Sequence, residues 1–210
     1  MKYLLGIVLL TAAATAAEGP RIVYSKNRPG GYPSYVEITV ERDGSGVWRD
    51  SAGDGGQPPV DFRLRPEEAD EIFRLARELD FFRRPLESHL KVANLGLKTF
   101  RYEDGEKSYE QQFNFSRELN ARLLADWFAR ITESVQHRLN LERTSRFDKL
   151  GVNKVLLQIQ ISMEKNRLVA ADQFLPLLDK VAADESILNM ARSRAARLAS
   201  AIRAGGRKGK

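Results

Sequence analysis

The chain reads as an α+β fold: an N-terminal antiparallel sheet built from two ββα-like units with their helices on one face, followed by an all-α C-terminal region. Three features carry that reading. Alternation of apolar and polar residues, the mark of a strand with one wet face, is confined to the part of the chain before about residue 117. Asp43-Gly44 and Asp104-Gly105, pairs that favour the positive φ of tight hairpins, each sit between two such alternating runs. After about His137 the apolar residues recur only at helical spacing.

Residues 1–17 precede the fold. Lys2, the apolar run Leu4–Leu10 and the small residues Ala12–Ala17 follow the order of a secretory signal peptide. Leu4–Ala17 falls short of the roughly 20 residues a helix needs to cross a bilayer, so a cleaved leader is expected and no transmembrane span remains after it. Cleavage near Ala16 or Ala17 predicts a periplasmic or secreted protein. The chain has no cysteine, which excludes disulfides, thiolate chemistry and a lipoprotein anchor. Burial alone must then hold the fold, and a chain of this size hides roughly 70% of the surface its unfolded form exposes.

Ile22 and Tyr24 mark a first short strand before the Pro29-Gly30-Gly31 break. In Tyr35–Arg42, Val36, Ile38 and Val40 alternate with Glu37, Thr39 and Glu41; Asp43–Gly46 turns the chain and Val47-Trp48-Arg49 returns beside it. Phe62 and Leu64 suggest another strand. Pro66 suits a first helical position, and Glu67, Glu68 and Asp70 complement the positive end of a helix dipole. Ala69, Ile72, Phe73, Ala76 and Leu79 form its apolar stripe, and Pro85 is expected to stop it.

The pattern recurs. Thr99–Glu103 and Lys107–Phe115 flank the second Asp-Gly turn, and Ser116 is expected to cap a long helix with the stripe Leu123, Leu124, Trp127, Phe128, Ile131 and Val135. Neither helix can bury its stripe without the sheet, so both are expected on its apolar face. The other face then shows Glu37, Thr39, Glu41, Glu110, Gln112 and Asn114 to water. Further on, Val155–Lys165, Gln173–Ala183 and Ser186–Arg203 read as helices. Asp184 is expected to cap the last and Gly205 to end it, with Leu188, Ala191, Ala195, Leu198 and Ile202 on one seam. The expected organisation is a signal peptide at 1–17, a sheet domain at 18–137 that includes the long helix from about 117, a helical region at 138–204 and a basic disordered tail at 205–210.

Charge divides the chain. Glu18–Ser116 holds 15 basic and 18 acidic residues, whereas Arg117–Lys210 holds 18 basic and 10 acidic, so the two halves are expected to attract each other or to face separate partners.

No set of residues converges on a reaction. Ser88-His89-Leu90-Lys91 and Ser162-Met163-Glu164-Lys165 match the Ser-x-x-Lys spacing of penicillin-binding enzymes, but no Ser-Asp-Asn accompanies them and Lys98-Thr99 is followed by Phe100. His89 and His137 are the only histidines. Asp50–Gly56 is acidic but lacks the ordered ligands and closing Glu of a calcium loop. Asn114-Phe115-Ser116 is a glycosylation sequon in form only, and the glycine-rich tail has no following helix to cradle a phosphate. Neither a catalytic residue nor a metal or cofactor site is expected.

Tyr35-Val36-Glu37-Ile38-Thr39-Val40, then Asp43-Gly44 and Trp48, then a capped helix, resembles the opening of uncharacterised exported bacterial proteins that carry a domain of unknown function. The resemblance covers about residues 20 to 82 and implies an envelope location and no chemistry.

These observations point to a non-enzymatic envelope protein that binds a protein or an acidic envelope polymer, without specific nucleic-acid recognition. The expected contact residues are Glu37, Thr39, Glu41, Glu110 and Gln112 on the sheet and Arg192, Arg194 and Arg197 on the last helix. The alternatives are a periplasmic hydrolase acting on wall polymer or peptide through Ser88 or a carboxylate pair, and an oligomerisation module made by the helical region.

Overall fold

The computed structural model describes residues 19–31, 33–50 and 58–205. The expected leader, the acidic turn beyond Asp50 and the basic tail beyond Gly205 lie outside the described residues. Strands β1 (Arg21–Asn27), β2 (Tyr35–Glu41), β3 (Ser45–Asp50), β4 (Val60–Arg63), β5 (Leu97–Asp104) and β6 (Lys107–Phe113) form one antiparallel sheet in the order β4-β3-β2-β1-β5-β6. Helix α1 (Pro66–Glu78) follows β4, and α2 (Leu119–Phe147) follows β6. Both ββα-like units are present, with β4 added to the first. The short first strand joins them, pairing with β2 on one side and β5 on the other.

Alternation puts Ile22, Tyr24, Ile38, Val40, Trp48, Phe62, Phe100 and Phe113 on the face that α1 and α2 cover. Ile72, Leu75 and Ala76 of α1 and Leu124, Phe128 and Ile131 of α2 meet them there. Phe100 is the hub, with the rings of Tyr24, Phe82, Phe113 and Phe128 centred 5.7, 5.2, 5.1 and 6.0 Å away. Phe128 also stacks on Tyr24 at 4.5 Å with planes 4° apart. At the β2–β3 turn Gly44 takes φ +84°, and a Cβ there would come within 2.9 Å of the Leu64 carbonyl oxygen. The close approach lets the Leu64 N–H donate to the Gly44 carbonyl, which leads the chain from β4 into α1.

Helix α1 ends earlier than Pro85. Asp80, Phe81 and Phe82 all take positive φ (52°, 49° and 65°), a left-handed turn that L-residues adopt at a cost. The turn drives Phe82 fully into the core against Phe100 and sets the Phe81 ring 4.4 Å from that of Tyr102. Aromatic burial, not proline, terminates the helix.

The start of α2 also differs from expectation. The Phe115 carbonyl accepts the Ser88 N–H at 2.9 Å, which draws Ser116 into the interior ahead of the helix. Its hydroxyl accepts the Glu118 N–H at 3.2 Å, and Glu118 occupies the N-cap position without a side-chain cap. The helix then runs through position 137 to Phe147, because Leu141 is buried in a second core. That core is built with α3 (Val152–Glu164), α4 (Leu175–Ala183) and α5 (Asn189–Gly205). Pro176 stands in the first turn of α4, where its missing N–H costs no hydrogen bond. Asp184 does not cap α5. Its carboxylate accepts the Ser186 N–H at 3.0 Å, the Ser186 hydroxyl and, at 2.9 Å, the Lys149 ammonium, and so closes the loop after α4. Leu188 consequently precedes α5 and is 49% exposed, off the seam it was expected to join.

The two halves pack together where the chain returns from α3. Val169 and Ala170 enter the sheet core, while Ala171 and Phe174 enter the helical one. The Ala170 N–H donates to Glu68 at 3.1 Å, the Val169 N–H to Ser134 at 3.0 Å, and Arg65 makes two 2.9 Å bonds to Asp172. Two helical side chains also cap the outer carbonyls of edge strand β4: Arg138 on Asp61 at 2.9 Å and Gln173 on Arg63 at 3.5 Å. The opposite edge is β6.

Truncating the hub should be far costlier than truncating an equally large exposed ring. Phe100→Ala is expected to lose about 3–5 kcal/mol in urea unfolding, while Phe147→Ala, at a side chain 82% exposed, should change stability by no more than about 0.5 kcal/mol. The Ser186 hydroxyl, then Lys149, then the Ser186 N–H hold the Asp184 carboxyl down at about 2. Folding lowers this pKa from an unfolded value of about 3.9, so the contribution is complete above that value and is lost as the pH falls toward 2. Urea midpoints measured across that interval should fall less steeply for Asp184→Asn than for the wild-type chain.

Candidate functional site

With α1 and α2 on one side, the alternate residues of the strands form a second, uncovered face. Register sets its rows. Glu41, Arg21 and Glu103 lie on adjacent strands in one; Thr39, Val23, Arg101 and Glu110 in the next; Arg49, Glu37, Ser25, Thr99 and Gln112 in the third. All five sheet residues expected at a contact surface are therefore on one face. Glu37, Thr39 and Glu41 are separated from Glu110 and Gln112 by three strand spacings, roughly 14 Å.

The face is not an acidic patch. Glu37 accepts from Tyr35 at 3.0 Å and from Arg49 at 3.4 Å. Burial, followed by that bond to Glu37, raises the Tyr35 hydroxyl above its ordinary range. Arg21 bonds Glu103. Arg101 lies 2.8 Å from Glu103 and 3.6 Å from Glu110, contacts of charge, since its Nε–H finds no acceptor in line. Gln112 donates to Glu110 at 3.3 Å. Between these pairs Val23 is buried. Beside them a groove of about 380 Å³ opens, bounded by Thr39, Glu41, Val47, Asp61, Arg63 and Gln173. Sequence reasoning left out Arg21, Arg49 and Arg101, although the alternation that exposes Glu37 puts all three on the same face; register sets Arg49 beside Glu37, Arg21 beside Glu41 and Glu103, and Arg101 beside Glu110.

Asn114 leaves this face. Beyond the end of β6 its amide bonds the Leu95 N–H at 3.0 Å and the Ala93 carbonyl at 3.1 Å, and its N–H donates to Glu87 at 2.6 Å. The sequon asparagine is thus committed to tying down the loop before β5.

The three α5 arginines do not form one site. Arg192 Nε donates to the Ala182 carbonyl at 3.2 Å and so helps to close the end of α4. Arg194 is half-buried, with Nε and Nη1 shielded from water and without a hydrogen-bond partner among the described residues. Arg197 is exposed.

The serines with lysine spacing are also placed. Ser88 lies in an irregular loop, its hydroxyl 3.3 Å from Glu87 and accepting the Leu90 N–H at 3.2 Å; His89 beside it is exposed at φ +55°. Ser162 is buried on α3 and donates to Glu133 of α2 at 2.7 Å. Arg167 binds the second Glu133 oxygen at 2.8 Å and reaches Asp126 at 3.1 Å. Burial opposes ionisation of Glu133, but the bonds from Ser162 and Arg167 outweigh it and hold the carboxyl below its usual range. His137 Nε2 is 3.7 Å from Glu133 without a hydrogen bond, and burial lowers its pKa against the pull of that carboxylate. A nucleophile needs a base able to take its proton. Here the serine proton points at a stabilised, arginine-paired carboxylate, so the cluster is an interhelical lock. Among the described residues no group of three or more His, Cys, Asp or Glu could hold a metal ion.

No family model matches the chain, and neither does any curated protein.

Removing the acceptor of the lock leaves the Ser162 hydroxyl and the Arg167 Nε–H unmatched, with Arg167 held by Asp126 alone, whereas removing one donor leaves the carboxylate its other partner. Glu133→Ala should therefore lose about 1–3 kcal/mol in urea unfolding near neutral pH, with Ser162→Ala closer to 1. An equal loss in both variants would show that the carboxylate is not the centre of the network.

Proposed function

We propose that this chain is an exported envelope protein, a non-enzymatic binding module whose contact surface is the uncovered face of the sheet. One observation carries the reading: the face presents both signs of charge in fixed rows, with Glu37, Glu41, Glu103 and Glu110 each beside an arginine on a neighbouring strand. Side chains already held by their neighbours lose little freedom when a partner docks, so such a surface offers specificity at low ordering cost. A uniform polyanion would be repelled by half of these groups. The partner that fits is a protein with a complementary mixed pattern, rather than an acidic polymer. The leader pattern of residues 2–17 supports the envelope as the place of contact.

The test is photo-crosslinking in intact cells from a reactive side chain placed at Thr39, at Gln112 or, as a control, at exposed Leu157 on α3. The expected result is one adduct of the same mass from both sheet positions and none from Leu157, in protein whose N-terminus is Ala17 or Glu18. Charge reversal at Glu37 together with Glu41 should abolish the adduct while leaving the unfolding midpoint near that of wild type. Adducts from Leu157 alone would refute the assignment of the face, and material retaining Met1 in the cytosol would refute export.

A further inference from the structure

We propose that the cavity between the β1–β2 connection and α2 is a binding site for a small organic carboxylate. The alternation that buries Ile22 and Tyr24 continues along β1, so Lys26 stands at a core-side position just where the core ends. Above it α2 carries on from Phe128, stacked on Tyr24, to Thr132 and Gln136, one and two turns later on the same helix face. Between them lies a cavity of about 210 Å³. Tyr24, Pro33, Val36 and Ala129 supply apolar wall, Gln136 an amide, and Lys26 and Arg28 two cations; among the described residues its lining contains no carboxylate.

The charge is concentrated and unmatched. Lys98 on β5 is the register partner of Lys26 and faces the same side of the sheet. Its own ammonium is satisfied by the carbonyls of Asn114 at 2.7 Å and Gly96 at 3.3 Å and lies over the Phe113 ring. The nearby carboxylate, Glu87, is occupied by the N–H groups of Ser88, His89 and Asn114. Lys26 has no such partner: it donates no hydrogen bond and joins no ion pair among the described residues. Burial, then Arg28, lowers the pKa of Lys26, and burial, then Lys26, lowers that of Lys98 against the opposing pull of Glu87, as expected of half-buried like charges set side by side.

Backbone geometry fixes the lysine. Gly96 takes φ +100°, and a Cβ there would lie 3.1 Å from Lys26 Cε, 3.0 Å from Arg28 Cβ and 3.1 Å from the Asn27 carbonyl oxygen. The Lys26 stem is packed against bare backbone, which holds its ammonium at the sheet end instead of letting it wander in solvent. An anion placed there relieves the repulsion and gains a charge-assisted bond, while the apolar wall takes a short carbon body. The volume is below that of sites for drug-sized ligands, which limits the ligand to a small molecule.

Benzoate is a suitable probe, with benzamide as its neutral counterpart and inorganic phosphate as an anion without an apolar body. In amide-resolved NMR titrations, benzoate is expected to shift Lys26, Arg28, Gly31 and Gln136 in a saturable way that weakens with salt, and benzamide is not. Lys26→Met should weaken benzoate about tenfold or more while the remaining spectrum stays that of a folded chain. Arg197→Met, a cation elsewhere, should leave benzoate unaffected. The proposal fails if benzoate produces no saturable shifts at these residues or if Lys26→Met binds it unchanged. Phosphate shifting the same residues as strongly as benzoate would also overturn it, because the wall would then contribute nothing.

Discussion

The stacking of Phe128 on Tyr24 is the contact from which the remaining architecture follows. Tyr24 lies on β1, the strand that bonds to both hairpin units, and Phe128 lies on a helix of 29 residues, about 44 Å long at 1.5 Å per residue. Joining the two pins the helix across the middle of the sheet. Its first half then buries Leu124 and Ile131 in the sheet core, and its second half projects far enough to place Leu141 in another. The helical region is built on that projection. The uncovered face is its counterpart, since helices gathered on one side leave the other to the polar residues of every strand.

The docking of the two halves does not come from their opposite net charges. The ion pair across the junction runs against the charge balance of the halves: the arginine is Arg65, from the acidic one, and the aspartate is Asp172, from the basic one. Asp172 is more than half exposed, and ion pairs of that kind contribute little. Apolar burial at Val169, Ala170, Ala171 and Phe174 and the backbone bonds to Glu68 and Ser134 hold the junction. Glu68 is raised above its ordinary pKa, chiefly by burial, although it accepts two backbone N–H groups and lies near Arg65. It therefore acts as a local acceptor rather than as part of a long-range attraction.

Local rules were enough for much of this fold. Alternation and Asp-Gly turns place β2, β3, β5 and β6 to within two residues at each end, and Pro66 marks the first residue of α1. Failures came where a tertiary contact overrode a local signal. Ser116 has the chemistry of a cap, but the bond between Ser88 and Phe115 takes that stretch into the interior. Asp184 likewise has the chemistry of a cap and instead gathers Ser186 and Lys149. The central role of β1 was hidden because Ile22 and Tyr24 state only that a strand exists, not which neighbours it pairs with. On the uncovered face the carboxylates were legible from period two alone. Their pairing with Arg21, Arg49 and Arg101 needed the register, which no single strand contains. The basic cavity was less legible still: Lys26 and Lys98 are 72 positions apart, and only the β1–β5 pairing makes them neighbours.

The unequal treatment of the two sheet edges has a consequence for self-association. Arg138 and Gln173 occupy the outer carbonyls of β4, so no further strand can add there without displacing them. Any extension of the ladder has to begin at β6, and a second copy joining through its own β6 would bury the open edge of both molecules. Such a pairing is closed: it leaves a capped β4 at each end and nothing for a third copy to join. The fold thus tolerates a long antiparallel sheet without offering the repeating head-to-tail contact from which fibres grow.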